Sequence, residues 1–395
     1  MGRYLPLALS TLVHTTLISP STAFGRWSPT TVPSRHIMSL MDSLKPADGS
    51  EGNKNKKPRT ALDEKSKNGE FTRKDAAWRG TISRKEGAKF PPEDNRYHLY
   101  VAHACPWAHR TMLVRALKGL EQTISITVVH PVWQPTKPQD DEHTGWVFGD
   151  PSGESFSNNI GLGGPFPAAF PGNEPDPFQG AKSIRELYEF AGDTDGKYSV
   201  PLLWDKKTNT IVSNESSEII RMLNSEFNEF AKDPELDLYP EDDLNQREAI
   251  DAVNQWVYAT INNGVYRCGF ATSQEAYNKA IEELTDSFDR IHEILKKQNF
   301  IAGNQLTEAD IRLFVTLIRF DEVYAVYFKT NTRSVAGAPS MMEYIRTIYR
   351  MKGVAETVNM DQIKAHYYAS HPNLNRWSVI PRGPDFIKLL EAADN

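Results

Sequence analysis

The β-prone, alternating run from Tyr97 to Val101 is followed within a few residues by Cys105-Pro106, then by apolar residues at helical spacing to Leu120 and a β-branched run over 124–129. Strand, helix and strand in that order predict a βαβ unit, which commits the chain to a sheet with a helix packed on it. A second block follows: a helix over 181–190, a strand at Val200-Pro201-Leu202-Leu203-Trp204, a turn over 206–209, a strand over 210–213 and a helix over 215–223. The predicted order is βαβ, then αββα. From Asp242 onward the strand pattern disappears, and amphipathic stretches over 244–262, 273–297, 308–328 and 341–351 predict a helical second domain. Thr307-Glu308-Ala309-Asp310 supplies a hydroxyl and an acid three residues later, a capping-box variant that starts a helix and needs no catalytic reading.

The 395 residues therefore divide into a presequence over 1–41, a linker or extended arm over 42–95, an α/β domain over 96–232 and a helical domain over 233–395 with a C-terminal extension. The presequence reading rests on composition. No Asp or Glu precedes Asp42, Arg3, Arg26 and Arg35 stand among many Ser and Thr, and the apolar run over 5–18 is too short to span a bilayer. Ser21-Thr22-Ala23-Phe24-Gly25 resembles a plastid processing site, so a plastid or another organelle is the expected address. The alternative is a cytoplasmic form starting at Met38 or Met41. The linker is rich in Lys, Glu, Asn and Gly. A loop over 132–180, Pro- and Gly-rich with Gly161-Leu162-Gly163-Gly164-Pro165-Phe166-Pro167 inside it, carries no phosphate-binding fingerprint and reads as an insertion covering the site. A net charge of -6 argues against nucleic-acid binding, and nothing suggests a membrane protein.

The chemistry points to Cys105. A cysteine between a strand and a proline stands at a helix start, because Pro106 fits the first helical turn, where its missing N–H costs nothing. Unpaired N–H groups and the positive end of the helix are expected to lower the thiol pKa and make it a nucleophile. Position 108 is Ala, so no neighbouring thiol resolves a mixed disulfide and an external thiol must. The other cysteine, Cys268, lies in the helical domain. His103, Cys105 and His109 offer no evident fourth ligand, so no metal is expected. His109 and Arg110 either position the helix or are solvated. Pro201 at a strand start calls for an edge, a bulge or a cis bond, and in a thioredoxin-like domain a cis-proline faces the nucleophile. Glu215-Ser216 open a helix whose N–H groups and hydroxyl suit a carboxylate while Glu215 takes an ammonium group. Together these make a γ-glutamyl clamp.

The runs LYVAHACPWAHR from Leu99, VPLLWDKKTNTIVSNESSEIIRM from Val200, NNGVYRCGFATSQEAY from Asn262, GNQLTEADIRL from Gly303 and GVAETVNMDQIKAHYYASH from Gly353 resemble the glutathionyl-hydroquinone reductases. These are the Xi class of glutathione transferases, relatives of the Omega class, and the resemblance covers residues 96–384. It implies an α/β thioredoxin-like N-terminal domain followed by an all-α glutathione-transferase C-terminal domain, in a homodimer. It also implies glutathione as co-substrate and reduction of an S-glutathionyl-hydroquinone by way of a Cys105 mixed disulfide. By resemblance Trp146, Lys197, Val200, Pro201, Glu215 and Ser216 hold glutathione, while Tyr266, His366 and Tyr367 line an aromatic pocket and serve the leaving hydroquinone as donors. Two departures stand out. Bacterial members have Arg where this chain has Lys197, a poorer fork for a carboxylate, and the 132–180 loop is longer than theirs. An Omega-like thioltransferase or dehydroascorbate reductase shares the cysteine and the clamp, and a non-catalytic scaffold shares the fold alone.

Overall fold

A computed structural model describes residues 57–60, 63, 64, 66 and 68–392. The presequence, its processing motif and Met38 and Met41 lie outside the described residues.

The predicted βαβ unit is β1 (Tyr97–Val101), α1 (Pro106–Leu117) and β2 (Ser125–Val128). A two-residue pair, β3 (Gln134–Pro135) with β4 (Thr144–Gly145), follows, then α2 (Ile184–Phe190), β5 (Leu202–Asp205), β6 (Thr210–Ser213) and α3 (Ser216–Ser225). The main sheet has the order β2-β1-β5-β6. β1 runs parallel to β2, with His98 opposite Ser125, and β5 runs antiparallel to both β1 and β6. All of β1 is buried, which explains how a five-residue strand tolerates Tyr, Leu, Tyr and Val without a polar face. Arg96 and Asp205 clamp the β1–β5 pair at 2.7–2.9 Å.

The helical part consists of α4 (Leu244–Trp256), α5 (Gly264–Gly269), α6 (Gln274–Leu295), α7 (Glu308–Arg319), α8 (Ala325–Tyr327), α9 (Pro339–Tyr349), α10 (Met360–Ala369) and α11 (Phe386–Glu391). The stretches expected as continuous helices over 244–262 and 308–328 each break into a π-helical segment, at Val257–Asn262 and Phe320–Tyr324. Asp310 starts α7 as expected. Its carboxylate accepts from the Thr307 N–H and hydroxyl at 2.8 and 2.9 Å, and also from the Ile301 N–H and Tyr344. α1 packs on α3 and on α7, making it the seam between the sheet and the helices.

The segment before β1 is pinned to this body. Phe71, Ile82 and Phe90 are buried, and burial of each contributes about 1.5–3 kcal/mol. Arg79 bridges Ser213 on the open edge of β6, and the Gly80 N–H donates to Val212 O at 2.8 Å. A Cβ at residue 80 would lie 2.6 Å from that same carbonyl, so the close approach needs glycine. The arm thereby covers a strand edge that would otherwise present unpaired backbone groups.

Candidate active site

Cys105 is the N-cap residue of α1, with extended backbone angles and Pro106 next in line, as the sequence predicts. Val200-Pro201 is a cis peptide, and the Cys105 Sγ lies 3.3 Å from the Val200 carbonyl oxygen. The loop before the cysteine is held from the helical part. Arg319 at the end of α7 donates to the carbonyls of His103 (2.6 Å) and Ala104 (3.2 Å), and to Nδ1 of His109 (3.0 Å). With Nδ1 accepting, Nε2 of His109 carries the proton and donates to Thr357 at 2.8 Å. His109 is neutral, since burial first and Arg319 second hold its pKa well below the usual value. Both His109 and Arg110 are buried, so neither is the solvated side chain the sequence allowed. Arg110 reaches Asn262 at 2.7 Å and the Ser216 hydroxyl at 3.3 Å, tying α1 to the first π segment and to α3.

The thiol environment corrects one expectation. The N–H groups of Ala108 and Trp107, together with Arg73 and Arg319, draw the Cys105 pKa down, but burial outweighs them and the net direction is up. The helix terminus alone does not ionise this thiol, because its favourable field acts on a group largely withdrawn from water.

Cys105 opens into a cavity of about 780 Å³. Trp107, Trp133, Trp146, Tyr266, Phe270, His366, Tyr367 and His371 form its aromatic wall, and Lys197 and Val200 line it as well. Tyr266 and Tyr367 meet hydroxyl to hydroxyl at 2.5 Å, and Tyr367 meets Tyr324 at 2.9 Å. Burial pushes the Tyr266, Tyr324 and Tyr367 pKa values above the ordinary phenol, so all remain protonated donors near neutral pH. The His366 ring stacks on Trp146 with centroids 4.5 Å apart, and its Nδ1 lies 2.8 Å from the Pro131 carbonyl. A carbonyl only accepts, so that nitrogen carries the ring proton, and burial holds the pKa well below the usual histidine. His366 is thus wall and Trp146 support; its one N–H is already committed, contrary to the expectation of a proton donor.

A smaller cavity of about 390 Å³ adjoins the first and is lined by Pro201, Asn214, Glu215, Ser216, Trp107, Val200 and Arg73, among others. Glu215 is the N-cap residue of α3, accepting from the Ser217 N–H at 3.0 Å and hydroxyl at 2.8 Å. Burial raises its pKa, but those hydrogen bonds, with Arg110 and Arg73, leave it below the usual carboxylate. The carboxylate is therefore charged and able to take an ammonium group.

Two comparisons of sequence identify what kind of chain carries this arrangement. Residues 104–226 match the glutathione S-transferase N-terminal domain family and residues 274–347 the C-terminal domain family. Over 333 residues the chain is 42% identical to glutathionyl-hydroquinone reductase YqjG of Escherichia coli, covering 82% of this chain and 92% of that protein. The chain belongs to the glutathionyl-hydroquinone reductases, the Xi class of glutathione transferases. Another relative, glutathionyl-hydroquinone reductase PcpF of Sphingobium chlorophenolicum, is 41% identical over 82% of this chain and 92% of that protein. The crystal structure of the Xi transferase from Phanerochaete chrysosporium matches with a TM-score of 0.70 at 44% identity, over 80% of this chain and 98% of that one.

In this Xi-class chain the fold brings every sequence-predicted site residue to one of the two cavities. The insertion behaves differently from its reading. Its first part supplies Trp133 and residues 143–146 to the cavity, but none of residues 147–180 lines it. The Gly-rich stretch instead packs Phe166 with Val132, Ala365 and Ala369, and Asn158 bonds Ser378. Sequence reasoning missed Arg59, Arg73, Arg319, Tyr324 and His371. Arg59, Thr60 and Arg73 come from the arm and line the main cavity, and Phe71 stacks on Tyr266 with centroids 6.0 Å apart. The signal was present in the spacing of Phe71, Trp78, Ile82 and Phe90, large apolar residues in a segment otherwise charged.

Proposed function

We propose that this chain reduces S-glutathionyl-hydroquinones with glutathione, releasing hydroquinone and glutathione disulfide through a mixed disulfide at Cys105. The Cys105 thiolate attacks the glutathionyl sulfur. A sulfur–sulfur bond forms as the bond from that sulfur to the aromatic carbon breaks, and the electron pair leaves with the ring, which takes up one proton. A second glutathione thiolate then attacks the glutathionyl sulfur of the mixed disulfide, restoring the Cys105 thiolate and releasing glutathione disulfide. In sum, one glutathione thiol proton replaces the glutathionyl group on the ring.

The observation that carries this reading is that the Cys105 thiol, Tyr266 and Tyr367 line one aromatic cavity, with the buried Tyr324 hydroxyl backing Tyr367. Two hydrogen bonds use two of the three hydroxyl protons and leave one for the ring oxygen of the hydroquinone. Val200, Pro201, Glu215 and Ser216 hold the γ-glutamyl end in the smaller cavity, Trp146 braces the wall, and the sulfur lies between them at Cys105. The working unit is taken to be a homodimer, and residues 1–41 an organellar address; sedimentation and a fluorescent fusion of residues 1–41 test these separately.

Turnover of glutathionyl-menadiol decides the main reading. Release of menadiol, with one glutathionyl adduct on Cys105 captured by mass spectrometry when the second glutathione is withheld, is the expected result. No menadiol release together with good dehydroascorbate turnover sinks the proposal in favour of an Omega-like thioltransferase.

A further inference from the structure

Lys197 is the cation that the resemblance assigns to glutathione, yet the arm has already engaged it. Its ammonium lies 2.5 Å from Glu64 and 2.8 Å from the Lys74 carbonyl, and Glu64 is buried. The neighbouring Arg59 is likewise engaged, pairing with both the carbonyl and the carboxylate of Asp195 at 2.5 Å. Both cations hold the arm to the loop that leads into Val200. A carboxylate entering here would have to compete with an acid already in place.

One other cation on the arm borders the thiol. Arg73 lines both the aromatic cavity and the smaller clamp cavity, at the threshold between Cys105 and Glu215. Its guanidinium carbon sits 3.6 Å from the centre of the Trp107 ring, and among the described residues it forms no ion pair. Stacking engages the flat face of a guanidinium and leaves its in-plane N–H donors available, an arrangement suited to a two-pronged bond with a carboxylate. Trp107 is itself buried between α1 and Tyr266, so the stack fixes where the donors point.

We propose that Arg73 of the arm, in place of Lys197, receives a carboxylate of glutathione, an inference that rests on the glutathione reading above. The arm thus exchanges one cation for another: Glu64 neutralises the lysine of the body, and Arg73 supplies a fork from the opposite wall. Specificity for a peptide thiol bearing carboxylates then depends on a segment outside both transferase domain matches.

Calorimetry on the full chain carrying Cys105→Ser, which binds without reacting, tests this with four ligands: glutathione, S-methylglutathione, the glycyl monoethyl ester and the analogue lacking the γ-glutamyl α-carboxylate. Adding Arg73→Gln is expected to weaken glutathione and S-methylglutathione about ten- to a hundredfold. That loss should largely vanish for whichever analogue lacks the paired carboxylate. An equal loss across all four ligands marks a structural role and overturns the inference, as does no loss at all. A larger, analogue-sensitive loss from Lys197→Gln also overturns it by restoring the cation to Lys197. Failure of the parent variant to bind any of the four overturns the glutathione reading along with it.

Discussion

The two cysteines of this chain share a chemistry and differ in everything around it. Cys268 lies inside α5, packed in the core, and burial pushes its thiol up to about 12. Cys105 is also opposed by burial, but it stands at a helix start, beside the Val200 carbonyl, with the influence of two arginines and two backbone N–H groups and a cavity in front of it. Loss of hydration opposes ionisation at both sites, although Cys105 is only partly buried and Cys268 fully so. What separates them is compensating positive charge and a place for a second sulfur to approach.

The sharpest way to break this contrast is substitution. Cys105→Ser is expected to lower turnover of glutathionyl-menadiol by roughly a thousandfold or more, and Cys268→Ser by less than about threefold. Comparable losses from both would end the distinction. Next in size is Tyr367→Phe, which removes the middle of the hydroxyl chain and should cost roughly a hundredfold in turnover. Cys105 alkylation should survive that change, and its loss would show that Tyr367 serves the thiol and not the leaving ring.

Alkylation of the wild-type enzyme compares the two thiols directly. At pH 8 a thiol pushed up to about 12 is ionised in about one molecule in ten thousand, so Cys105 should be labelled at least about tenfold faster than Cys268 by peptide mass mapping. Because burial leaves the Cys105 thiol above its ordinary value, its labelling in the ligand-free enzyme should still be rising as pH passes 9. The smallest effect sharpens the charge argument. Arg73 draws the Cys105 pKa down, so Arg73→Gln should move the midpoint of its labelling curve to higher pH while that of Cys268 stays fixed. A midpoint unmoved, or moved to lower pH, would remove Arg73 from the thiol's surroundings.

The fold around Cys105 was legible in the sequence for a local reason. A period-2 strand, a proline-started helix and a β-branched strand each declare themselves within a few residues, and β1, α1 and β2 lie where those signals stand. The six-residue helices α5 and α11 carry too few turns for a periodic signal, and α10, although as long as α3, is buried on nearly every face from Gln362 to Ala369 and so lacks a polar stripe; Tyr266 and Tyr367 sit on α5 and α10. Family resemblance located those two tyrosines where periodicity could not. The π segments were invisible for a different reason. Each adds a residue to a turn without altering composition, so one amphipathic stretch contains both a regular helix and the widened turn that ends at Tyr324. Residues 42–95 read as a linker or an extended arm, and the docking of that arm was not legible because its apolar content is low, whereas four well-spaced anchors and an open strand edge are enough to fasten it.

That fastening sets a limit on how the protein can be matured. Trimming to residue 41 leaves every arm residue of the cavity wall on the chain. A cut between Arg59 and Glu64 would remove Arg59 and its pairing with Asp195, one beyond Glu64 would release Lys197 from its acid, and one beyond Arg73 would strip Trp107 and Tyr266 of their cover. Any protease that acts on this N-terminus must therefore stop short of Arg59, or the product will be a transferase body missing one wall of its site.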